Sequence, residues 1–140
     1  MGARKRCLEK SCHRKAQYQM IRLDANYILR YLINDNEKMA GIAEEAILGG
    51  DIFISSEVLA EVAYVLRGVY NLSRKEVSEG LQALMEADNV ETHDKPVIQH
   101  GLQIYSEKSL DFVDCLLRAY SKADTILTFD KKLMGCVDGK

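Results

Sequence analysis

Residues 20–33 read MIRLDANYILRYLI, and this stretch indicates the fold class. Its first four residues form a short apolar run that predicts a β-strand at 20–23, ended by Asp24. From 26 to 33 the apolar residues recur at the three- and four-residue spacing of a helix. A strand that passes into a helix through one acidic residue is typical of an α/β unit, in which the helix leads to a parallel strand.

The alternation of strand and helix patterns continues along the chain. Further strands are predicted at 51–54, 89–92 and 125–129, with a last one near Cys136 and Val137. Helices are predicted at 26–33, 37–48, 56–70, 74–87, 96–107 and 112–122, with a stop at Gly49-Gly50 and N-caps at Ser73 and Asp111. This order predicts a three-layer α/β/α domain whose mostly parallel sheet has four or five strands and is covered on both faces.

Composition and cysteine content favour one soluble domain. The chain has 140 residues, of which 47% are hydrophobic and 29% charged, as in an ordinary globular domain. No apolar run reaches the roughly 18 to 20 residues that span a bilayer, so we expect no membrane association, and no secretory leader is recognisable. The four cysteines, Cys7, Cys12, Cys115 and Cys136, lack the spacing of a disulfide framework. We therefore expect a cytoplasmic protein with reduced thiols.

Charge divides the chain into two parts. Residues 1–19 hold six basic side chains and one acid, Glu9, whereas residues 20–140 hold 13 basic and 20 acidic ones. We interpret 1–19 as a basic N-terminal extension, for which disorder is one expectation, and 20–140 as a single domain. Two origins of the extension stay open: a tail that binds RNA phosphates, or a stretch that is not native to the protein.

Two aspartates follow predicted strands. Asp24 ends the first strand and Asp130 follows the strand at 125–129. Ligand sites of open parallel sheets lie beyond the carboxyl ends of the strands, so both residues are candidates for such a site. Each, taken alone, is also explained as a helix N-cap.

Glu61 is a third candidate because of its position on a helix. It lies three residues after Val58 and four before Val65, which places it on their apolar face. A carboxylate on a core-facing stripe costs several kcal/mol unless it is neutralised, hydrogen-bonded or bound to a cation. The alternatives are an edge position open to water and an ion pair with Arg118 or another basic residue.

Asp111 and Asp114 begin the helix at 112–122. Their spacing places both on one side, near the positive end of the helix dipole. A cap at Asp111 and an ion pair between Asp114 and Arg118 are the structural alternatives. Several carboxylates at one rim repel one another, so they require protons or a cation, and all-oxygen ligands favour Mg²⁺ or Mn²⁺ over zinc. Such a metal activates water and orients phosphates, which predicts phosphodiester hydrolysis.

Two other interpretations concern aromatic residues and a different fold. Tyr64 and Tyr70 stand on an apolar helix, so we interpret them as packing residues rather than as a platform for nucleic-acid bases. A phosphoacceptor receiver domain also carries aspartates at strand ends. It would need an acidic pair after its first strand and a lysine at a late strand end, and Asp24-Ala25-Asn26 and Asp130 do not fit that pattern.

Four motifs carry a family resemblance. They read IRLDANYIL at 21–29, SEVLAEV at 56–62, DFVDCLL at 111–117 and LTFDKK at 127–132. In this order and spacing they resemble the PIN domain family and, within it, the VapC-like toxins of bacteria and archaea. The match covers about residues 20–137. Cys115 stands where the family commonly has a small residue, a mild departure.

The resemblance implies roles for seven residues. The metal-binding and catalytic acids would be Asp24, Glu61, Asp114 and Asp130, and the auxiliary polar residues would be Asn26, Thr128 and Asp111. It implies hydrolysis of RNA phosphodiester bonds by Mg²⁺-bound water, which leaves a 5'-phosphate and a 3'-hydroxyl. It further implies a toxin that acts on tRNA, rRNA or mRNA, is held by a cognate antitoxin and forms a homodimer. The alternative is a PIN fold kept as a non-catalytic RNA- or protein-binding module.

Overall fold

Residues 19–139 are described by a computed structural model of the chain, with side chains described up to Gly135. The predicted basic extension, apart from its last residue, lies outside this range, and so do Cys7 and Cys12, which we expected to be reduced thiols. No helix in the described part of the chain is both long and apolar enough to cross a bilayer.

Three short parallel strands form the sheet of the described residues. They are β1 (Ile21–Arg22), β2 (Ile52–Phe53) and β3 (Val90–Glu91), with β2 in the middle. The seven helices of this range are α1 (Ala25–Ile33), α2 (Glu37–Gly49), α3 (Ser56–Gly68), α4 (Arg74–Met85), α5 (Lys95–Glu107), α6 (Phe112–Tyr120) and α7 (Lys131–Gly139). Helices connect successive strands, so the strands run parallel and the predicted α/β class is confirmed.

Two predicted helix boundaries, a start at Ser73 and a stop at Gly49-Gly50, agree with the structure. Ser73 begins α4 with a capping box: its hydroxyl accepts a bond of 3.0 Å from the Glu76 amide, and the Glu76 carboxylate accepts one of 2.9 Å from the Ser73 amide. The predicted stop at Gly49-Gly50 is confirmed, since α2 ends at Gly49. These signals act within one turn of chain, which explains why the sequence alone locates them.

One face of the sheet packs on the helical core. Ile52, Ile54 and Val90 are fully buried there. The largest fully buried side chains of the helices are Ile28, Leu59, Val62, Leu66, Val77, Leu81, Met85, Leu102 and Leu133. Each such side chain contributes roughly 1.5–3 kcal/mol through burial, so this core stabilises the sheet edge on which the candidate site depends.

The other face of the sheet carries a polar row. Arg22, Phe53 and Glu91 stand opposite one another in register. The Arg22 guanidinium lies 4.4 Å above the Phe53 ring, and the His93 ring meets the same ring edge-on at 5.0 Å. Arg22, Glu91 and His93 are exposed, because their charged or polar ends prefer water to a helix surface. The predicted helical cover is therefore incomplete over this row.

The predicted fourth and fifth strands are wrong for the described residues. Residues 125–129 form an irregular segment in which Leu127 is 90% exposed and Phe129 fully exposed. Residues 136 and 137 belong to α7, which Asp130 starts by capping it. Strand propensity reflects packing against a partner rather than an intrinsic backbone preference, and this segment pairs with no strand of the described chain. The sheet therefore has three strands instead of four or five.

Replacement of Leu127 by alanine tests the irregular segment. We expect the free energy of unfolding to change by less than about 0.5 kcal/mol, because the side chain is exposed. A leucine packed in a strand would lose about 2–5 kcal/mol on the same change. Urea unfolding followed by circular dichroism measures the difference, and a loss in that larger range would show that 125–129 packs as a strand.

Candidate active site

Asp24 lies beyond the carboxyl end of β1, as predicted. It is the N-cap of α1, where its Oδ1 accepts a hydrogen bond of 3.1 Å from the Tyr27 amide. The side chain is exposed, and its Oδ2 has no hydrogen-bond partner among residues 19–139. The capping interpretation is therefore confirmed, but capping uses one oxygen and leaves the other available to a ligand.

Asp130 repeats this arrangement at the start of α7. Its Oδ1 accepts bonds of 2.9 and 3.0 Å from the amides of Lys132 and Leu133, while its own amide donates to the Thr128 hydroxyl at 3.0 Å. No partner of Oδ2 occurs in the described range. Thr128 thus fixes the backbone of Asp130, in keeping with the orienting role that the resemblance implies.

Glu61 does not lie on the buried face of α3. The buried stripe of this helix consists of Leu59, Val62, Ala63 and Leu66, and Glu61 is exposed. The interpretation of a core-facing carboxylate is wrong, and the alternative of a carboxylate open to water holds. The physical reason is that Val58 and Val65 are only half-buried, so they mark the border of the packed stripe rather than its centre.

Asp111 and Asp114 lie at the start of α6. Asp111 occupies the N-cap position, but its side chain makes no capping bond, so the predicted position is confirmed and the predicted bond is absent. Partial burial raises the pKa of the Asp114 carboxyl, and the negative charges of Asp111 and Asp130 raise it further. The structure therefore places Asp114 where the charges of Asp111 and Asp130 both act on its carboxyl.

The predicted acids do not assemble into one metal site within the described residues. Asn26 lines a small groove of about 140 Å³ between α1 and α2. Within residues 19–139 no three acid, histidine or cysteine side chains form a ready ligand set for a metal ion. The missing fourth strand gives a physical reason, since Asp130 follows an irregular segment instead of a strand held beside β1.

The donor chemistry nevertheless fits a hard divalent cation. Asp24 and Asp130 each offer one oxygen without a partner in the described chain. The Asp114 carboxylate is repelled by Asp111 and Asp130 and forms no ion pair with a described residue. Oxygen donors of this kind suit Mg²⁺ or Mn²⁺, and a cation would relieve the repulsion. The acids therefore fit a divalent cation through their negative charge and through the type of their donor atoms.

A cleft of about 430 Å³ adjoins these acids, and we call it the α3–α6 cleft. It is lined by Ala60, Ala63, Tyr64, Arg67, Arg74, Tyr105, Asp111, Phe112, Val113 and Asp114. The sequence reasoning missed Arg67 and Arg74 and assigned Tyr64 to packing, although Tyr64 is 78% exposed. The available signal was the three-residue spacing of Glu61, Tyr64 and Arg67, which places them along one side of α3, off its buried stripe.

Asp114→Asn is expected to stabilise the metal-free protein by about 0.5–1 kcal/mol, the scale of largely exposed charge interactions. The raised pKa means that the folded state disfavours the charged carboxyl, so stability is lost above this pKa and regained as pH falls. This gain in stability should vanish below pH 3.8, the ordinary pKa of an aspartate carboxyl, and it should shrink in high salt. Urea unfolding at several pH values in EDTA measures it. An Asn variant less stable than wild type at pH 7 would contradict the conclusion that burial and the neighbouring aspartates disfavour the charged carboxyl.

Comparison with known proteins identifies the family of the chain. The family model described as PIN domain matches residues 21–135. A protein named VapC ribonuclease, from Aquifex aeolicus (strain VF5), is 27% identical over 104 residues, which cover 71% of this chain and 77% of that relative. No solved structure matches the chain significantly. The matched range contains all seven predicted site residues, and the chain therefore belongs to the PIN domain family and is VapC-like.

Proposed function

We propose that this protein is a Mg²⁺- or Mn²⁺-dependent ribonuclease that hydrolyses RNA phosphodiester bonds. The observation that carries the proposal is the aspartate trio: Asp114 lies near enough to Asp111 and Asp130 for their charges to raise its pKa. Carboxylates whose charges repel one of their number are suited to a cation, which would offset that repulsion. The PIN family model and the printed name of the relative, VapC ribonuclease, support the same chemistry.

Four acids would hold the metal: Asp24, Glu61, Asp114 and Asp130. When bound, such an ion lowers the pKa of a coordinated water and stabilises charge on the phosphate oxygens. Asp24 and Asp130 hold their caps with Oδ1 and would present Oδ2. Thr128 would keep Asp130 in place through its amide, and Asn26 and Asp111 are the proposed auxiliary residues.

The charge of the domain bears on its partners. Residues 20–140 are acidic, so an RNA strand approaches the site only where cations or arginines reverse the local charge. The same acidic rim would attract a basic side chain of an inhibitor. We propose that the protein is the toxin of a cytoplasmic toxin–antitoxin pair, that a cognate antitoxin occludes the site, and that the toxin forms a homodimer. The substrate class includes tRNA, rRNA and mRNA.

A second candidate function is a non-catalytic module that binds RNA or protein. It is favoured by one observation, the absence of a ready metal-ligand set among residues 19–139. Four separate acids at the positions of the family pattern argue for catalysis, because a binding module has no need of charges that repel one another.

Cleavage and metal binding together distinguish the two functions. Purified protein, free of antitoxin, is incubated with a pool of tRNA and ribosomal RNA in Mg²⁺ and in EDTA, and its melting temperature is measured with and without Mg²⁺. If the protein is a ribonuclease, we expect discrete cuts that leave 5'-phosphates and require Mg²⁺. We also expect a higher melting temperature when Mg²⁺ is present. Folded protein that neither cuts RNA nor gains stability from Mg²⁺ would favour the binding module.

A further inference from the structure

We propose that the α3–α6 cleft binds a nucleotide of single-stranded RNA beside the cleaved bond, with Tyr64 stacked on its base and Arg67 and Arg74 supplying positive charge for its phosphate. This inference rests on the proposed ribonuclease function and adds the way in which the substrate is held. It assigns a role to Tyr64, Arg67 and Arg74, which lie outside the set of acids.

The cleft is lined by two arginines, Arg67 and Arg74, whose positive charges are not neutralised by an ion pair with a described residue. Arg67 donates to the Leu72 carbonyl at 3.0 Å, and Arg74 donates to the carbonyls of Tyr105, at 2.8 Å, and Leu110. These acceptors are neutral, and within residues 19–139 neither arginine forms an ion pair with a carboxylate. Both arginines line the same cleft as Tyr105.

Arg74 is also held rigidly. Its guanidinium stacks 3.9 Å from the centre of the Tyr105 ring in addition to its two backbone bonds. A cation fixed in this way loses little side-chain entropy when a phosphate binds. Arginine is suited to phosphate because its donors lie in a planar fork. In an acidic domain, fixed arginines that line a cleft are suited to a negatively charged ligand.

Tyr64 supplies the aromatic surface. It is 78% exposed at the cleft, whereas most aromatic side chains of the described chain are buried or half-buried. On α3 it stands between Glu61, three residues before it, and Arg67, three residues after it. Exposed aromatic rings beside basic groups bind unstacked bases, since every base presents a π-face. Along this side of α3 the order is Glu61, the Tyr64 ring and Arg67. This order corresponds to the metal, the nucleobase and the phosphate of a bound RNA strand.

The size and position of the cleft agree with one nucleotide near the reacting bond. Its volume of about 430 Å³ lies within the range of roughly 300–1,000 Å³ for small-ligand sites. The cleft is also lined by Asp111 and Asp114, two members of the aspartate trio. A strand whose phosphate contacts Arg67 therefore passes the acids that would hold the metal.

Binding is measured by fluorescence anisotropy with a short labelled single-stranded RNA, in EDTA and in Mg²⁺. We expect Tyr64→Ala to weaken binding about tenfold, the size of one lost stacking contact, and Tyr64→Phe to bind like wild type. The same RNA annealed to its complement should bind equally to wild type and Tyr64→Ala, because its bases are already stacked. Leu48→Ala, which alters an exposed apolar side chain outside the cleft, is the control.

The contribution of the arginine charge to RNA binding is measured through the salt dependence of Kd. Arg67→Gln should weaken binding and lower the slope of log Kd against log salt by about 0.7, the value for one phosphate contact on a single strand. Lys75→Gln removes one positive charge from α4 outside the cleft and should leave the slope unchanged. Circular dichroism and urea unfolding check that Arg67→Gln keeps its fold despite losing the bond to Leu72.

The outcomes separate this inference from the proposed function. If Asp24→Asn abolishes cleavage while Tyr64→Ala and Arg67→Gln bind and cleave like wild type, the ribonuclease stands and the RNA subsite is overturned. Wild-type protein that neither binds nor cleaves RNA, in EDTA or in Mg²⁺, overturns both. If Tyr64→Ala changes the molecular mass in solution, measured by light scattering, Tyr64 belongs to an interface between copies of the chain, and the subsite is overturned.

Discussion

Asp24→Asn protein is expected to fold like wild type and to cleave RNA at least about 100-fold more slowly, the scale for loss of one electrostatic group in an active site. The asparagine Oδ1 can still accept the bond from the Tyr27 amide, and asparagine caps helices as well as aspartate does. The Oδ2 oxygen, which has no partner in residues 19–139, becomes an amide nitrogen that cannot bind a metal. The substitution therefore removes one proposed metal ligand, Oδ2, and keeps the capping hydrogen bond of Oδ1.

Asp51→Asn is the matched control for this prediction. Asp51 is also exposed, but it precedes β2 and lies at the amino end of the strand, the end opposite to the predicted site. Its variant should cleave RNA at the wild-type rate. The measurements are the cleavage rate in excess Mg²⁺, the melting temperature and the rise in melting temperature on addition of Mg²⁺. A folded Asp24→Asn protein with full activity would remove Asp24 from the site.

Leu102→Ala is expected to lower the free energy of unfolding by about 2–5 kcal/mol, the largest effect on stability that we predict. Leu102 lies in α5, is fully buried and belongs to the core cluster that supports the sheet. Its carbonyl also accepts a bond of 2.8 Å from the buried Ser78 hydroxyl of α4. The shortened side chain leaves a cavity between helices that cannot close without disturbing this bond.

Urea unfolding measures this loss, with Leu48→Ala as the control. Leu48 is the same residue type in a helix but is 67% exposed, so its change should cost less than about 0.5 kcal/mol. An unchanged slope of free energy against urea concentration would show that the native state is weakened and the unfolded state is not altered. Equal losses for the two variants would contradict the packing of α5 in the core.

The sequence determined those features of this protein that depend on neighbours along the chain. Helix boundaries follow from capping residues and glycine stops within one turn, as Ser73 and Gly49 show. The positions of Asp24 and Asp111 as caps follow in the same way. The parallel order of β1, β2 and β3 follows from helices between short apolar runs, because such connections return the chain in the same direction.

Tertiary structure alone decided three other features. Glu61 and Tyr64 share a helix with apolar residues, but only the packing partners select which stripe of α3 is buried, and both lie outside it. Residues 125–129 have the composition of a strand and form none here, since a strand requires a partner to satisfy its backbone and bury its side chains. The closeness of Arg67 and Arg74 to Asp114 depends on contacts between elements far apart in sequence, which no local pattern encodes.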